Sequence, residues 1–369
     1  MKKLITLAAM LLTLYGSSFA QLITTPDGGN KKAWAGERIG LTDVSIHYNR
    51  PAVKGREGKI WGALVPFGFN DLGFGTSKAS PWRAGANENT TIEFSTDVMV
   101  EGKPLQAGKY GFFIAVDKDQ STLIFSKNTT SWGSYFYDAK DDALKVNIKQ
   151  QTLDKAVERL KYEFMDQTEN SATIALQWEK WSFPFKVETD LTKIQLQSFR
   201  NELTSDKGFD WKAWAQAAEW CTEHKTNLDE GLKWADYSIS GAFIGEKNFR
   251  TLGVKSQLLK LQGKEAESAA LMNEALPFGN VNEVHGYARQ LLSAGKTKEA
   301  SEVFKSNYKK FPNTFTTNMG MARALSSEGK YKDALKYANA GLAQAPDPAN
   351  KTNAESIIEK LKAGKDINQ

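Results

Sequence analysis

The sequence is almost free of cysteine, and Cys221 is the only one among 369 residues. A single thiol forms no internal disulfide, and it supplies no zinc site built from several cysteines. After the first 20 residues, no apolar run approaches the roughly 20 residues that a membrane-spanning helix needs. The sequence therefore predicts a protein that folds by core packing alone and does not span a membrane.

The chain also lacks a large excess of either charge. Its 48 Lys and Arg against 43 Asp and Glu give a formal net charge of +5, which is too near neutrality to indicate nucleic-acid binding. Apolar residues make up 41% of the chain, and this fraction excludes general disorder because it can form well-packed cores. At about 100–200 residues per domain, the length predicts two or three domains.

The first 20 residues have the pattern of a signal peptide. Lys2 and Lys3 precede an apolar run over residues 4–14, and small residues stand before a cleavage site after Ala20. No cysteine follows that site, so the pattern is not that of a lipoprotein anchor. We expect export and removal of residues 1–20, leaving a periplasmic or secreted protein that begins at Gln21.

Between residues 43 and 188, apolar and polar residues alternate in short runs, which is the period of half-buried β-strands. About eight such runs, separated by turn residues, predict an all-β antiparallel sandwich. The runs cover residues 44–48, 91–95, 110–116, 122–125, 144–148, 160–164, 172–178 and 183–187. The exception is residues 49–89, a stretch rich in glycine and aromatic residues with little periodicity.

Beyond residue 190 the apolar period becomes helical. A glycine, a small residue five positions later and a proline seventeen positions later stand at Gly295, Ala300 and Pro312, and again at Gly329, Ala334 and Pro346. The 34-residue period is that of tetratricopeptide repeats, in which each unit is a pair of helices. Weaker copies begin near Trp211 and Gly263. The pattern predicts three to four helical hairpins, and an ordinary helical bundle is the alternative.

These patterns divide the chain into a signal peptide (residues 1–20), a β-sandwich domain (21–189) and an all-α repeat domain (190–369). Cys221 belongs to the repeat domain and shares a helical face with Trp214 and Ala218. We interpret it as a small buried hydrophobic residue rather than a nucleophile, because His224 is the only nearby candidate base and it lies on a polar segment.

Four segments of the first domain resemble a known family. They read YNRPAVKGR at 48–56, WRAGANENTT at 82–91, GKPLQAGKY at 102–110 and WGSYFY at 132–137. Over residues 22–188 the chain is similar to domain of unknown function 2911, found in secreted bacterial proteins. Its departures are Ala84, where the family tends to have Thr, and a longer loop at residues 69–78. The resemblance implies no activity, and together with the repeats it implies an envelope protein of Bacteroidetes type.

The irregular stretch contains the candidate ligand site. Its cations and hydrogen-bonding groups suit a small anionic or glycan-like ligand, and Trp61 and Trp82 offer flat faces for stacking. The candidate ligand-binding residues are His47, Arg50, Arg56, Trp82, Arg83, Asn87 and Thr90. The alternative is structural, with the arginines bound to carboxylates or backbone carbonyls that hold a loop without regular structure.

The function that follows is an exported, non-catalytic binding protein with a protein or peptide partner on its helical repeats. No nucleophile elbow, phosphate loop, metal-ligand pair or paired-carboxylate motif is present in the sequence, so we predict no catalytic residue, metal or cofactor. The competing hypothesis is an envelope hydrolase or lyase that acts on an anionic polymer through His47, Arg50 and Arg83.

Overall fold

The computed structural model describes residues 29–368. The predicted signal peptide lies outside the described residues. The chain divides into two units between Gln197 and Ser198, and each is described by itself. Within the described range no helix is both long and apolar enough to cross a membrane.

The described part of the first unit contains ten strands in two antiparallel sheets, with orders β1-β2-β3-β6-β7-β8 and β5-β4-β10-β9. The strands are β1 (Lys31–Ile39), β2 (Thr42–Arg50), β3 (Thr91–Phe94), β4 (Val98–Val100), β5 (Lys103–Leu105), β6 (Gly108–Ala115), β7 (Ser121–Ser126), β8 (Asp142–Ile148), β9 (Gln151–Met165) and β10 (Ser171–Glu188). Buried residues of both sheets, such as Phe112 and Phe185, belong to one hydrophobic core. The predicted antiparallel sandwich is confirmed.

Alternation explains which face of a strand is buried. In β2, Val44, Ile46 and Tyr48 point into the core, whereas His47 on the opposite face is exposed. A strand that covers the core with one face shows this alternation, because successive side chains point to opposite faces of the sheet.

Three elements differ from the prediction. The edge strand β1 was missed because only Ile39 of its nine residues is buried, so its sequence shows no clear alternation. Between the predicted strands at 91–95 and 110–116, β4 and β5 form a further hairpin, whose two turn residues, Glu101 and Gly102, both have positive φ angles. Two predicted strands are one, β10, in which the register shifts on both sides of Glu179.

The described part of the second unit is helical, and the first of the ten α-helices in the described chain begins in the first unit and ends in the second. They are α1 (Leu191–Leu203), α2 (Trp211–Glu223), α3 (Leu228–Ser240), α4 (Phe249–Leu261), α5 (Glu265–Ala275), α6 (Val281–Ser293), α7 (Thr297–Lys310), α8 (Phe315–Ser327), α9 (Tyr331–Leu342) and α10 (Pro348–Lys362). Helices pack pairwise as α2 with α3, α4 with α5, α6 with α7, and α8 with α9. The predicted helical-hairpin fold is confirmed, with four hairpins and two further helices, α1 and α10, in the described residues.

Glycines in the left-handed conformation end the first helix of successive hairpins. They are Gly263, Gly295, Gly329 and Gly364, with φ angles of 79°, 74°, 72° and 66°. At α6 the Gly295 amide donates to the Leu292 carbonyl, and the Lys296 amide donates to the Leu291 carbonyl. This pair of bonds is the Schellman motif, which supplies donors to the last carbonyls of a helix. The same pair recurs after α4, α8 and α10, so α10 begins a further copy that the sequence pattern did not indicate.

The small residues of the repeat are buried where two helices approach. Ala300 and Ala334 are fully buried, and Ser268 fills the same place in the earlier copy. In the first hairpin the place belongs to Gly231, where an added Cβ would stand 2.9 Å from Cβ of Cys221. The packing distance between helices therefore sets the size of the residue at this position.

Cys221 is fully buried in α2, as predicted. Burial, assisted by Glu230, raises the pKa of its thiol to about 11. We expect no reaction with a thiol reagent such as DTNB in the native protein at pH 8, and release of one thionitrobenzoate per chain in denaturant, measured by absorbance. Rapid labelling of the native chain would contradict the burial of this side chain.

Candidate functional site

Asparagine side chains join the two central motif segments of the first domain. The amide of Asn87 donates to Oδ1 of Asn49 over 3.2 Å, and the Asn49 amide donates to Oε2 of Glu88 over 2.7 Å. Lys32 forms an ion pair with Glu88 at 2.7 Å and lowers the pKa of its carboxyl. Asn49 and Glu88 lie in the motifs, yet the sequence did not single them out as candidates.

Arg83 joins the second motif to the segment at residues 132–137. Its Nη1 donates to the Asn87 carbonyl over 2.7 Å, and its guanidinium lies 5.2 Å from the ring centre of Tyr135. Gly133 lies directly against the guanidinium, so a Cβ there would collide with it. The side chain is half-buried and holds these two segments together.

Arg50 and Arg56 also donate to backbone carbonyls. Nε of Arg50 reaches the carbonyl of Leu160 in β9 over 2.8 Å. Nε and Nη2 of Arg56 reach the carbonyls of Val53 and Ala52 over 2.9 and 2.7 Å. These are the contacts that the structural alternative predicts, because a loop without regular structure leaves carbonyls that need donors.

Thr90 and Trp82 face inward. Thr90 is fully buried, and its hydroxyl donates to the carbonyl of Ala84 over 3.2 Å. The hydroxyl of Tyr162 donates to the same carbonyl over 2.8 Å. The indole N–H of Trp82 donates to the Gly85 carbonyl over 3.1 Å. These side chains stabilise a turn in which Ala84 adopts a positive φ of 48°.

His47 remains apart from these contacts. It is exposed on β2, opposite Trp34 and Thr91 in the neighbouring strands. Within residues 29–368 its ring has no hydrogen-bond or ion-pair partner. A general base needs a third group that orients it, and the described surroundings of His47 supply none.

The tryptophans of the irregular stretch pack against one another. Trp61 stacks on Trp181 with ring centres 5.0 Å apart, and it meets Trp82 edge-on at 5.6 Å. Trp178 completes the cluster, 6.0 Å from Trp82. The faces predicted to stack on a sugar therefore largely contact other indole rings. The sequence did not indicate the contribution of β10, because its tryptophans lie about 100 residues away along the chain.

The helical unit contains an open groove of about 430 Å³ between α4, α5 and α6, which we call the Tyr287 groove. Phe249, Met272 and Leu291 contribute apolar surface, and Gly253 and Gly286 leave the two first helices without side chains where they line it. Its polar lining residues include Lys260, Glu265, Glu283, Gln290 and Lys296. Apolar surface with polar groups at intervals is typical of sites that bind small molecules or peptides.

The sequence predicts a binding surface for a protein or peptide on the helical repeats, but it does not single out any residue of this groove. The signal was present in the pattern of α6, where Glu283, Tyr287 and Gln290 follow one another at helical spacing.

Several solved structures show similarity to this chain. The APC/C hetero-tetramer Cut9–Hcn1 matches at 13% identity and a TM-score of 0.31, over 47% of this chain and 35% of that chain. YrrB, described as a TPR protein with an unusual peptide-binding site, matches at 15% identity and a TM-score of 0.31, over 47% of this chain and 88% of its own. One form of MamA matches at 10% identity and a TM-score of 0.27, over 46% and 92%. The chain thus spans about a third of the length of the first of these structures.

No curated protein matches this chain. A family model described as "Protein of unknown function (DUF2911)" matches residues 30–187, and these contain all four motif segments. Residues 30–187 therefore form a domain of the DUF2911 family, as the motifs predicted.

Proposed function

We propose that this protein is a non-catalytic binding protein whose helical repeats hold an extended segment of a partner protein. The observation that carries the proposal is the Tyr287 groove, which is open, about 430 Å³ in volume and lined by two successive first helices. Stacked helical hairpins create such surfaces because each repeat presents the same helix faces side by side.

The groove supplies both kinds of contact that a peptide needs. The ring of Phe249 and the side chain of Met272 offer apolar surface for side chains, whereas Gln290 and the charged rim offer hydrogen bonds to a peptide backbone. Aromatic and methionine side chains are enriched at protein interfaces because they bury large areas.

Gly286 makes room in the groove. A Cβ added at this position would meet nothing within 4 Å. Glycine within a helix costs about 0.5–1 kcal/mol relative to alanine. This cost is consistent with a residue retained for space rather than for helix stability.

We propose that the protein acts outside the cytoplasm, after removal of residues 1–20 by cleavage at Ala20. The charged start, the apolar run and the small residues before the cleavage site support this proposal.

A small anionic or glycan ligand of the first domain has less support. Arg50, Arg56 and Arg83 each donate to backbone carbonyls. The hydrolase or lyase alternative needs those arginines together with His47, which has no orienting partner within the described residues. We therefore assign these arginines a structural role in the proposed function.

A pair of substitutions at Gly286 tests the proposed groove. Peptides selected from a displayed random library on the wild-type protein provide the probes, and direct titration measures their affinity. We expect Gly286→Trp to fill the groove and weaken binding at least tenfold, while Gly286→Ala retains binding and raises the free energy of unfolding by about 0.5–1 kcal/mol. Unchanged affinity in Gly286→Trp, with the fold intact by circular dichroism, would refute the groove as the binding site.

The structural role of Arg83 gives a second prediction. Arg83→Ala removes a charge-assisted hydrogen bond and the contact with Tyr135, so we expect the first domain to lose about 2 kcal/mol of stability in urea unfolding. Lys59→Ala is the matched control, because Lys59 is an exposed cation of the same irregular stretch, and we expect it to change stability by less than about 0.5 kcal/mol. Equal stability of wild type and Arg83→Ala would contradict the structural role and favour the hypothesis that Arg83 binds a ligand.

Export gives a third prediction. Expressed with its full leader in a Gram-negative bacterium, the protein should be recovered from the periplasmic or extracellular fraction with Gln21 as its N-terminal residue by mass spectrometry. Replacement of Leu11 and Leu12 by Arg interrupts the apolar run, and we expect it to leave unprocessed chain in the cytoplasm. Cytoplasmic recovery of the unaltered chain, starting at Met1, would contradict the proposal.

A further inference from the structure

Three basic side chains meet where α6 and α8 face each other. His285 and Arg289 stand one turn apart on α6, and Arg323 stands on α8. A Cβ added to Gly320 of α8 would lie 3.3 Å from Nδ1 of His285, so the two helices approach closely at this point. Because Arg323 is three residues beyond Gly320, it shares that side of α8. We call these three residues the basic crevice.

The described residues balance the charges of the basic crevice only in part. Within residues 29–368 neither Arg289 nor Arg323 forms an ion pair with a carboxylate. Nδ1 of His285 is buried and has no hydrogen-bond partner. Burial, followed by the charges of Arg323 and Arg289, lowers the pKa of His285 to about 4. Burial and the neighbouring charge of Arg289 also lower the pKa of Arg323.

The carboxylate that acts on Arg323 already accepts other hydrogen bonds. Asp366 acts on Arg323 electrostatically, but its Oδ1 accepts hydrogen bonds from the hydroxyl of Ser326 over 2.7 Å and from the side-chain amide of Asn368 over 2.9 Å. Arg323 itself makes only two long contacts, to the carbonyl of Ile367 at 3.4 Å and to Oδ1 of Asn368 at 3.5 Å. Most of its N–H groups are therefore left for another acceptor.

Arg289 is exposed and Arg323 is half-buried. Their like charges repel each other, and Arg323 also loses hydration without the compensation of an ion pair. The other arginines of the helical unit are each paired with a carboxylate. Arg200 binds both carboxylate oxygens of Glu230, and Arg250 binds both oxygens of Glu219. An arrangement that costs folding free energy and leaves donors unused is typical of a binding site.

Residues 366–368 form a non-helical segment that lies beside this crevice. The amide of Ile367 donates to the Ser326 hydroxyl over 3.0 Å, and its side chain is buried with the core of the last helices. The side-chain amide of Asn368 donates to the carbonyl of Arg323 over 3.0 Å. The backbone of Ile367 and the side chain of Asn368 thus already contact α8.

We propose that the basic crevice binds an acidic side chain of the partner protein, with Arg289 and Arg323 donating to its carboxylate. The inference rests on the proposed function and names the chemistry of the partner segment. His285 and Arg289 lie on a different face of α6 from Gly286 and Gln290, which line the Tyr287 groove. A partner segment that crosses α6 therefore contacts both the groove and the basic crevice.

Fluorescence anisotropy with the full mature chain tests the proposal, using fluorescein-labelled hexaglutamate as the probe and hexaglutamine as the uncharged comparison. We expect hexaglutamate to bind at least tenfold more tightly than hexaglutamine, with an affinity that falls as salt rises. We expect Arg289→Gln and Arg323→Gln each to weaken hexaglutamate binding about tenfold or more. Lys332→Gln removes the same charge from an exposed site on α9 and should leave binding within about twofold.

Stability distinguishes a binding role from a structural one. Because Arg289 has no ion-pair partner among the described residues, we expect Arg289→Gln to unfold at an equal or higher temperature than wild type. Arg323→Gln removes the contacts of Arg323 with residues 367 and 368, so a loss of stability in this variant has a structural cause. If Arg323→Gln folds poorly, Arg289→Gln is the decisive variant.

Three results would overturn the proposal: no hexaglutamate binding by the wild type, equal binding of the two peptides, or equal losses in Arg289→Gln and Lys332→Gln. If library-selected peptides are blocked by Gly286→Trp but indifferent to Arg289→Gln, the proposed function stands and the basic crevice fails. If hexaglutamate binding depends on Arg289 but no peptide depends on Gly286, the Tyr287 groove fails instead.

Discussion

Backbone groups that leave regular structure need hydrogen-bond partners, and this constraint shapes both units of the protein. In the first domain, carbonyls of the irregular stretch and of strand β9 accept from Arg50, Arg56 and Arg83. In the helical unit, the last carbonyls of the first helices accept from amides of the turn that a left-handed glycine permits. The cost of a buried unpaired carbonyl, about 1–3 kcal/mol, explains why long side chains are used in this way.

The partners of each guanidinium distinguish the structural cations from those that we propose to bind a ligand. Arg83 has an acceptor at 2.7 Å and an aromatic ring beneath it, so its charge is used within the fold. Arg289 and Arg323 lie close enough for their charges to interact, with no ion pair among the described residues. Arginine content therefore indicates little about function until the partner of each guanidinium is known. In this chain the arginines of the candidate ligand site have hydrogen-bond partners within the fold, whereas Arg289 and Arg323, which did not stand out in the sequence, form no ion pair among the described residues.

Repetition explains how a helical unit with small local cores forms extended surfaces. Each hairpin buries a few residues, such as Ala300 with Phe304 or Ala334 with Ala338, and leaves the remaining helix faces to its neighbours. Because the same faces recur along the stack, adjacent first helices create the Tyr287 groove on one side of α6 and the basic crevice on another. Differences between copies, such as glycine at 286 and arginine at 289, then give each surface its chemistry.

Local patterns in the sequence determined the two fold classes, because strand alternation and the 34-residue period arise from burial at fixed spacing. They also identified the family segments and the buried state of Cys221. They missed β1, whose exposed residues show no alternation, and the asparagine contacts between Asn49 and Asn87, which join residues 38 positions apart. Only the tertiary structure decided which arginines are paired and where the grooves lie, because a hydrogen bond depends on distance in space and the sequence records only order along the chain.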